Sequence, residues 1–289
     1  MLCMVSVVYF VFEFSAWGGG SLPVFAGAES RGAFLGMVRR LDSGLSELLH
    51  SGRGGRSVFS LKPLRFLSGY SVVESGPSFG GVVFERGARC SLEVAVFDEE
   101  ASRRLVSILA TSPLGLEVNG VEFGLVGLSI RIIDPSSVIS GEDAPEALDV
   151  RFLTPTYFNP LKGDQSYKVL YPDPEHLFAS LVAVAHDLTG QGFPKPSELA
   201  DKVYISGLEI RTPRMEASKP APNGFTGWVR LRFKKNASTS EKKLIAGLLR
   251  LGEITNVGGN RTAGYGVISV SVPMVGSNKA GEGSKSEPR

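Results

Sequence analysis

Hydrophobic and polar positions in the N-terminal half change period several times. Residues 4–14, MVSVVYFVFEF, are rich in Val, Tyr and Phe and predict a buried strand. A signal peptide is the less favoured interpretation, because no basic residues precede the apolar run and no small-residue cleavage site closes it. Apolar residues then recur every three or four positions from Phe34 to Leu49, which predicts an amphipathic helix. Asp42-Ser43-Gly44 loosens this helix, and the run SGRGGR ends it at His50.

The remaining elements of this half are shorter. The pattern predicts strands near 57–61, 70–74 and 89–97, a helix at 99–110 and a strand at 122–133. Strand, helix, strand, strand, helix, strand is the ferredoxin-like order.

The second half repeats this order. Its predicted elements are a strand at 148–153, a helix after the Pro-Asp-Pro of 172–174, strands within 202–215 and 224–235, a helix from 239 capped by Thr239 or Ser240, and a strand at 265–272. We therefore expect an α+β protein of tandem ferredoxin-like (βαββαβ) domains. Residues 1–134 form the first domain, 135–147 a polar linker, 148–275 the second domain and 276–289 a disordered tail.

Charge is unevenly distributed, although the net charge of the 289 residues is only +2. Residues 195–275 hold 13 Lys and Arg against 6 Asp and Glu, and residues 39–65 hold 6 against 2. Two local basic zones indicate a polyanion partner. The two cysteines have neither disulfide-framework nor zinc spacing, and no apolar run is long enough for a membrane helix, so we expect a cytoplasmic protein that needs no metal and no membrane.

A glycine-rich loop, GGNRTAGYG, separates the last helix from the last strand. It lacks the GK[ST] of a P-loop, and a dinucleotide fingerprint would need the opposite order of strand and helix. One interpretation is a long turn that packs closely against a neighbour. The other is a clamp on an RNA backbone, in which glycines let N–H groups approach phosphate. The candidate residues are Gly258, Gly259, Asn260, Arg261, Gly264 and Gly266.

His50 is the histidine with the most suggestive surroundings. It ends a helix and enters a basic run that contains Arg53 and Arg56. An imidazole can transfer protons near neutral pH, and arginines stabilise charge on a phosphate. The alternative is a histidine that only complements the helix dipole. His176 and His186 lie in an apolar helix pattern and are expected at the core edge or surface.

A basic ribbon is expected on the two strands between 202 and 235. Arg230, Arg232 and Lys234 share one strand face by period two, and Arg211 and Arg214 flank a Thr-Pro break. Such a face can follow a phosphate backbone, or it can simply be solvated.

Four stretches together resemble a known family. They are GGNRTAGYG before a closing strand, GAESRGAFLGMVRRLDSGLSELLH, VFSLKPL and RFLTPTYF. The first resembles the C-terminal signature of the repeat-associated (RAMP) RNA-binding proteins of CRISPR systems. The other three resemble the CRISPR precursor-RNA processing endoribonucleases of the Cas-six type. The similarity extends over roughly residues 10 to 275.

This resemblance implies metal-independent cleavage of CRISPR repeat RNA, without any cofactor. The 2′-hydroxyl would attack its own phosphorus and leave 2′,3′-cyclic phosphate and 5′-hydroxyl ends. His50 falls on the general acid/base position, and Arg56 or Arg53 on that of a phosphate-stabilising lysine. Some members place a tyrosine in the first helix, where this chain has Phe34 and Leu35.

Two other hypotheses remain. The chain could be a non-catalytic RAMP subunit that holds guide RNA in a CRISPR effector complex, whose subunits are also possible partners of the processing enzyme. It could also be a phosphate-binding metabolic enzyme, for which RNA binding that weakens steeply with salt would be unexpected.

Overall fold

Two antiparallel sheets carry the fold, and the first belongs to the N-terminal half. The computed structural model describes residues 6–52, 57–73, 80–111, 115–162, 166–213 and 222–273. In the first sheet β3 pairs with β4, β4 with β1, and β1 with β6, the strand order of a ferredoxin-like domain, while the short strands β2 and β5 extend it. The strands are β1 (Val7–Ala16), β2 (Gly20–Pro23), β3 (Phe59–Val73), β4 (Gly81–Val96), β5 (Gly115–Val118) and β6 (Val121–Ile133).

Three helices cover one face of this sheet: α1 (Gly27–Leu41), α2 (Ser43–Ser51) and α3 (Glu99–Thr111). The core forms because alternate residues of β1 point to the same face, so Phe10, Phe12 and Phe14 are all fully buried. Phe34 of α1 packs on Phe12, with ring centroids 6.4 Å apart.

The second half repeats the plan, with the sheet order β10-β7-β9-β8. Its elements are α4 (Pro135–Ser140), β7 (Ala147–Thr156), α5 (Pro174–Thr189), α6 (Pro196–Ala200), β8 (Val203–Arg211), β9 (Phe225–Phe233), α7 (Thr239–Thr255) and β10 (Ile268–Ser271). The predicted tandem ferredoxin-like fold is confirmed. None of the helices in the described ranges combines the length and apolarity needed to cross a membrane.

One strand, β3, stands where two short ones at 57–61 and 70–74 were predicted. Pro63 of this strand lies in an irregular part of the pairing, between Lys62 opposite Glu93 and Arg65 opposite Ser91. A proline is tolerated there because the ladder does not need its missing N–H group. The four-residue strands β2 and β5 were missed.

The predicted first helix is in fact two helices. Asp42 has extended backbone angles, and its carboxylate accepts a hydrogen bond from Leu45 N at 2.9 Å, which caps α2. Arg104 of α3 holds the same carboxylate, with Nη2 2.6 Å from Oδ1 and Nε 3.1 Å from Oδ2. The Asp42–Arg104 pair therefore fixes both the break in the helix and the position of α2 on α3.

The segment 135–147, predicted to be a polar linker, contains α4 in its first part, and α4 buries Ile139 against α7. One further prediction needs correction. The cap of α7 is Ser238 rather than Thr239 or Ser240, and Ser238 forms a capping box with Glu241. The proposed tail, 276–289, lies outside the described residues.

The two domains share an interface. Val7, Tyr9 and Ala95 of the first domain are buried in the hydrophobic core of the second. Asn256, which follows α7 at φ 58° and is buried, donates from Nδ2 to Leu61 O of β3 at 2.9 Å. The loop after α7 is thereby attached to the first domain.

We expect Asp42→Asn to lower the free energy of unfolding by about 1 kcal/mol at pH 7 and by much less near pH 3. Arg104, followed by Leu45 N–H, holds the pKa of Asp42 below its ordinary value. The ionised carboxylate therefore stabilises the fold above about pH 4, and this contribution disappears as the pH falls through the lowered pKa. Urea unfolding at both pH values measures the difference.

The matched control is Glu122→Gln at an exposed carboxylate. A destabilisation by Asp42→Asn that is equal at pH 7 and pH 3 would contradict a charge-based role.

Candidate active site

His50 lies near the end of α2, with its side chain exposed, and faces Arg31 of α1. Arg31 Nη2 is 3.4 Å from His50 Nδ1. The two residues meet because α2 folds back along α1, as the bond from Ser46 Oγ to Leu35 O at 3.2 Å also shows. The break at Asp42 therefore brings together residues that are 19 positions apart.

The contact with Arg31 selects a tautomer of His50. A guanidinium can only donate hydrogen bonds, so Nδ1 of the imidazole must accept. In neutral His50 the proton then resides on Nε2, which is directed away from Arg31 as a donor. The 3.4 Å distance is long for a hydrogen bond, so the constraint on the ring is weak.

A groove of about 530 Å³ opens beside His50 between α1 and α2. Gly32 and Gly36 of α1 line it, and a Cβ atom added to either would meet nothing within 4 Å. Glycine in a helix costs about 1 kcal/mol relative to alanine. At Gly32 and Gly36, the absence of a side chain leaves the backbone of α1 accessible to a ligand in the groove.

Arg31 was missed from the sequence, whereas Arg53 and Arg56 were proposed and lie outside the described residues. No local pattern pairs Arg31 with His50, because their contact depends on how α1 and α2 pack. Burial lowers the pKa of Arg31. Its Nε is buried and lacks a hydrogen-bond partner among the described residues.

Much of the glycine loop packs closely against neighbouring parts of the protein. Gly258, Gly264 and Gly266 all have φ near +70°, a conformation that glycine adopts without strain. A Cβ at Gly266 would lie 1.7 Å from Val257 O, and one at Gly264 would lie 2.3 Å from Pro63. Both residues are buried, so the interpretation of a close-packed turn is correct for them.

The N–H groups of this loop are also largely engaged within the protein. Gly258 N donates to Ser180 Oγ at 2.7 Å, Gly259 N to Tyr157 O at 3.0 Å and Gly266 N to Pro155 O at 3.0 Å. Three of the N–H groups that the sequence suggested as phosphate donors are therefore already bonded within the protein.

The part of the loop that faces solvent is centred on Asn260, which is exposed. Arg261 follows in a short 3-10 turn, Arg261–Ala263, that packs against the start of α1. Burial lowers the pKa of Arg261, although the charge of Asp187 opposes the shift. Its Nη1 is buried and, like Nε of Arg31, has no acceptor in the described part of the chain.

Aromatic contacts hold the loop between the two domains. Tyr265 packs edge-on against Phe25, which precedes α1, and against Tyr157 at the end of β7, with centroid distances of 4.9 and 5.6 Å. Burial, with a smaller contribution from Tyr157, raises the pKa of Tyr265 to about 12. Its hydroxyl donates to Pro222 O at 3.1 Å. These contacts link the glycine loop of the second domain to the start of α1.

The basic ribbon is one-sided, as predicted, but most of its charge is paired. Arg230 forms two bonds with Asp149, at 2.7 and 2.8 Å, and Lys234 lies 2.9 Å from Asp201. Arg211 pairs with Glu209 at 3.1 Å, and Arg214 lies outside the described residues. Arg232 is exposed between these pairs.

The other two histidines lie on α5 and have partners just outside the two ends of that helix. His176 Nδ1 is 2.6 Å from Asp173 Oδ2, and His186 Nδ1 is 2.8 Å from Gln191 O. His176 is partly buried and His186 exposed, as expected for the core edge and the surface.

Residues 150–268 match the family model described as CRISPR-associated endoribonuclease Cas6. Over these residues the match agrees with the family resemblance found in the sequence. No curated protein matches the chain.

Solved structures agree with this fold over nearly the whole chain. Cas6 from Thermus thermophilus (TTHB231) is 18% identical, with a TM-score of 0.67, and the alignment covers 93% of this chain and 100% of that one. A product complex of another Cas6 (TTHA0078) is 19% identical, with a TM-score of 0.65 and coverage of 91% and 99%. A RAMP protein described as binding different RNA substrates is 13% identical, with a TM-score of 0.58 and coverage of 91% and 99%.

We expect Gly266→Ala to lower the free energy of unfolding by about 2–5 kcal/mol, because the new methyl group adds a clash with Val257 O to the strain of positive φ. Gly120→Ala is the matched control, since its φ is +77° and its Cβ would meet nothing within 4 Å. It should cost only about 1–2 kcal/mol. Urea denaturation of both variants measures the difference, and equal losses would contradict the packing role of Gly266.

Proposed function

We propose that this protein is a metal-independent endoribonuclease that cleaves CRISPR repeat RNA to produce mature guide RNAs. The observation that carries the proposal is the His50–Arg31 pair, which lies on α1 and α2 close to the glycine loop of a Cas6-type domain. A proton-transfer group and a fixed cation are what RNA self-cleavage needs, because RNA supplies its own nucleophile.

The reaction would proceed in one displacement at phosphorus. The 2′-oxygen forms a bond to the adjacent phosphorus, and the bond from phosphorus to the 5′-oxygen breaks. The 2′-hydroxyl proton passes to water, and the leaving 5′-oxygen takes the Nε2 proton of His50 in its imidazolium form, in which Nδ1 carries a proton and no longer accepts from Arg31. The products are a 2′,3′-cyclic phosphate and a 5′-hydroxyl, and His50 regains its proton from solvent.

Arg31 would stabilise the negative charge that develops on the phosphate oxygens. Its buried Nε supports this role, because a buried N–H group without an acceptor costs free energy that a phosphate oxygen can recover. Arg261, in the 3-10 turn that packs on α1, likewise has a buried Nη1 without an acceptor among the described residues. Arg53 and Arg56 remain proposed contributors to the same charge stabilisation.

RNA would contact the exposed part of the glycine loop, Gly258 to Arg261, and reach His50 across the start of α1. Arg232, with Arg211, Arg214, Arg230 and Lys234, remains a proposed second contact, weakened by the carboxylates that pair with three of these side chains. After cleavage the protein could retain its product and transfer it to the subunits of a CRISPR effector complex.

The competing candidate is an inert guide-RNA-binding subunit. The likeness to a RAMP protein described as binding different RNA substrates supports this candidate. Such a protein would bind repeat RNA tightly and leave it intact. Loss of the His50 imidazole would leave the function of such a protein intact.

We expect the wild type to cut end-labelled CRISPR repeat RNA once in EDTA, under single-turnover conditions with protein in excess. His50→Ala should slow the cut about 10²–10⁴-fold, and Arg31→Ala about 10²–10³-fold. Arg31→Lys should retain part of the rate, because a lysine keeps the charge but not the forked geometry. Binding of RNA should persist in all three variants.

The control is Arg103→Ala, at an exposed arginine of α3, which should leave the rate unchanged. Equal cutting by wild type and His50→Ala would exclude His50 as the proton donor. Tight binding without any cutting would favour the inert subunit.

A further inference from the structure

Two exposed tyrosines, Tyr167 and Tyr171, lie in the segment whose Leu170 packs beneath the glycine loop. The side chains of Tyr167 and Tyr171 are 55% and 53% exposed. Within the described ranges neither ring stacks on another aromatic ring. Exposed aromatic side chains on an ordered surface mark contact sites more often than chance, because they offer large rigid apolar faces to a partner.

The segment that carries these tyrosines is held in place by neighbouring residues. Phe158 and Val169 exchange both of their backbone hydrogen bonds, at 3.0 and 2.9 Å. Leu170 packs against the cluster of Phe25, Tyr157, Ala263 and Tyr265 beneath the glycine loop. The backbone between the two tyrosines is therefore anchored, although their rings remain in solvent.

Lys168 lies between the two tyrosines in the sequence and is also positioned. Its Nζ donates to Asn159 Oδ1 at 2.7 Å and lies 5.6 Å from the centre of the Tyr157 ring. Tyr157 is also the residue whose carbonyl accepts the N–H of Gly259. A fixed ammonium group thus stands next to the exposed part of the glycine loop.

These residues extend the candidate site along one continuous path. It begins at His50 and Arg31, passes the 3-10 turn that packs on α1, continues over the glycine loop and ends at Tyr157, Lys168 and the two tyrosines. Both cationic and aromatic side chains occur along it, and surfaces that bind single-stranded nucleic acid combine the two.

We infer that Tyr167 and Tyr171 stack on unpaired bases of the RNA substrate, and that Lys168 holds a phosphate between them. This inference rests on the proposed function and adds to it a subsite for a single-stranded segment of the repeat, away from the cleaved bond. Stacking of this kind tolerates many base sequences, because every base presents a π-face. The subsite therefore contributes affinity and position rather than sequence choice.

The test measures binding and cleavage separately. Binding of fluorescein-labelled, unstructured CRISPR repeat RNA is measured in a His50→Ala background, so that the RNA stays intact. Tyr171→Leu and Tyr167→Leu should each weaken binding roughly 5- to 150-fold, the loss expected for one stacked base. Tyr171→Phe and Tyr167→Phe should bind like the parent, because they keep the ring. Lys168→Met should reduce the slope of log affinity against log salt by about 0.7.

Tyr70→Leu is the matched control. Tyr70 is 44% exposed on β3 of the first domain, away from the residues proposed to contact RNA, and its replacement should leave the affinity unchanged. With the His50 side chain restored, the leucine variants should cut at the wild-type rate once protein is saturating. Thermal unfolding should be unchanged, since both rings are exposed.

The outcomes separate this inference from the proposed nuclease. Leucine variants that bind like the parent, while His50→Ala still abolishes cutting, would overturn the stacking subsite and leave the nuclease intact. Loss of affinity in the phenylalanine variants as well would also overturn it, because the hydroxyl and not the ring would be the contact. Failure of the wild type to bind repeat RNA would overturn both.

Discussion

The break between α1 and α2 at Asp42 is the constraint on which the candidate site depends. In one continuous helix, 19 residues would separate Arg31 and His50 by about 28 Å along the axis. The cap that Asp42 forms on Leu45, together with its ion pair with Arg104, instead folds α2 back until the two side chains are 3.4 Å apart. Arg104, on α3, thus helps to determine the position of His50 without contacting it.

The second constraint is the attachment of the glycine loop to the first domain. Asn256 bonds to β3, Gly264 lies against Pro63, and Tyr265 packs on Phe25. Glycine is needed at Gly264 and Gly266 because main chain passes main chain or proline too closely for a Cβ atom. The same close packing leaves only the short stretch around Asn260 facing outward. The glycines of the loop are therefore needed for packing, and only the exposed stretch around Asn260 is available for contact with a ligand.

The periodic elements could be predicted from the sequence, and the contacts between them could not. Phe10, Phe12 and Phe14 mark a buried strand by alternation alone, and the order of elements suffices for the ferredoxin-like repeat. By contrast, two short strands were predicted where β3 is continuous. The strand passes through Pro63 at a point where the ladder does not need an N–H group, and this depends on the pairing with β4. His50 was identified from its position at a helix end before a basic run. Its partner Arg31 could not be identified from the sequence, because the contact between Arg31 and His50 depends on the tertiary pairing of Asp42 with Arg104.

The same limit applies to charge. Counting Lys and Arg placed a strong basic ribbon on β9, but Asp149, Asp201 and Glu209 come from elsewhere on the sheet and its surroundings to pair with three of its members. Paired charges release few counterions and contribute little to binding a polyanion. Under the proposed function, a chain with a net charge of only +2 must gain affinity for RNA from sources other than bulk electrostatics. The proposed sources are the buried guanidinium nitrogens that have no acceptor among the described residues and the exposed tyrosine rings, because each favours a ligand of the right shape and not merely one that is negatively charged.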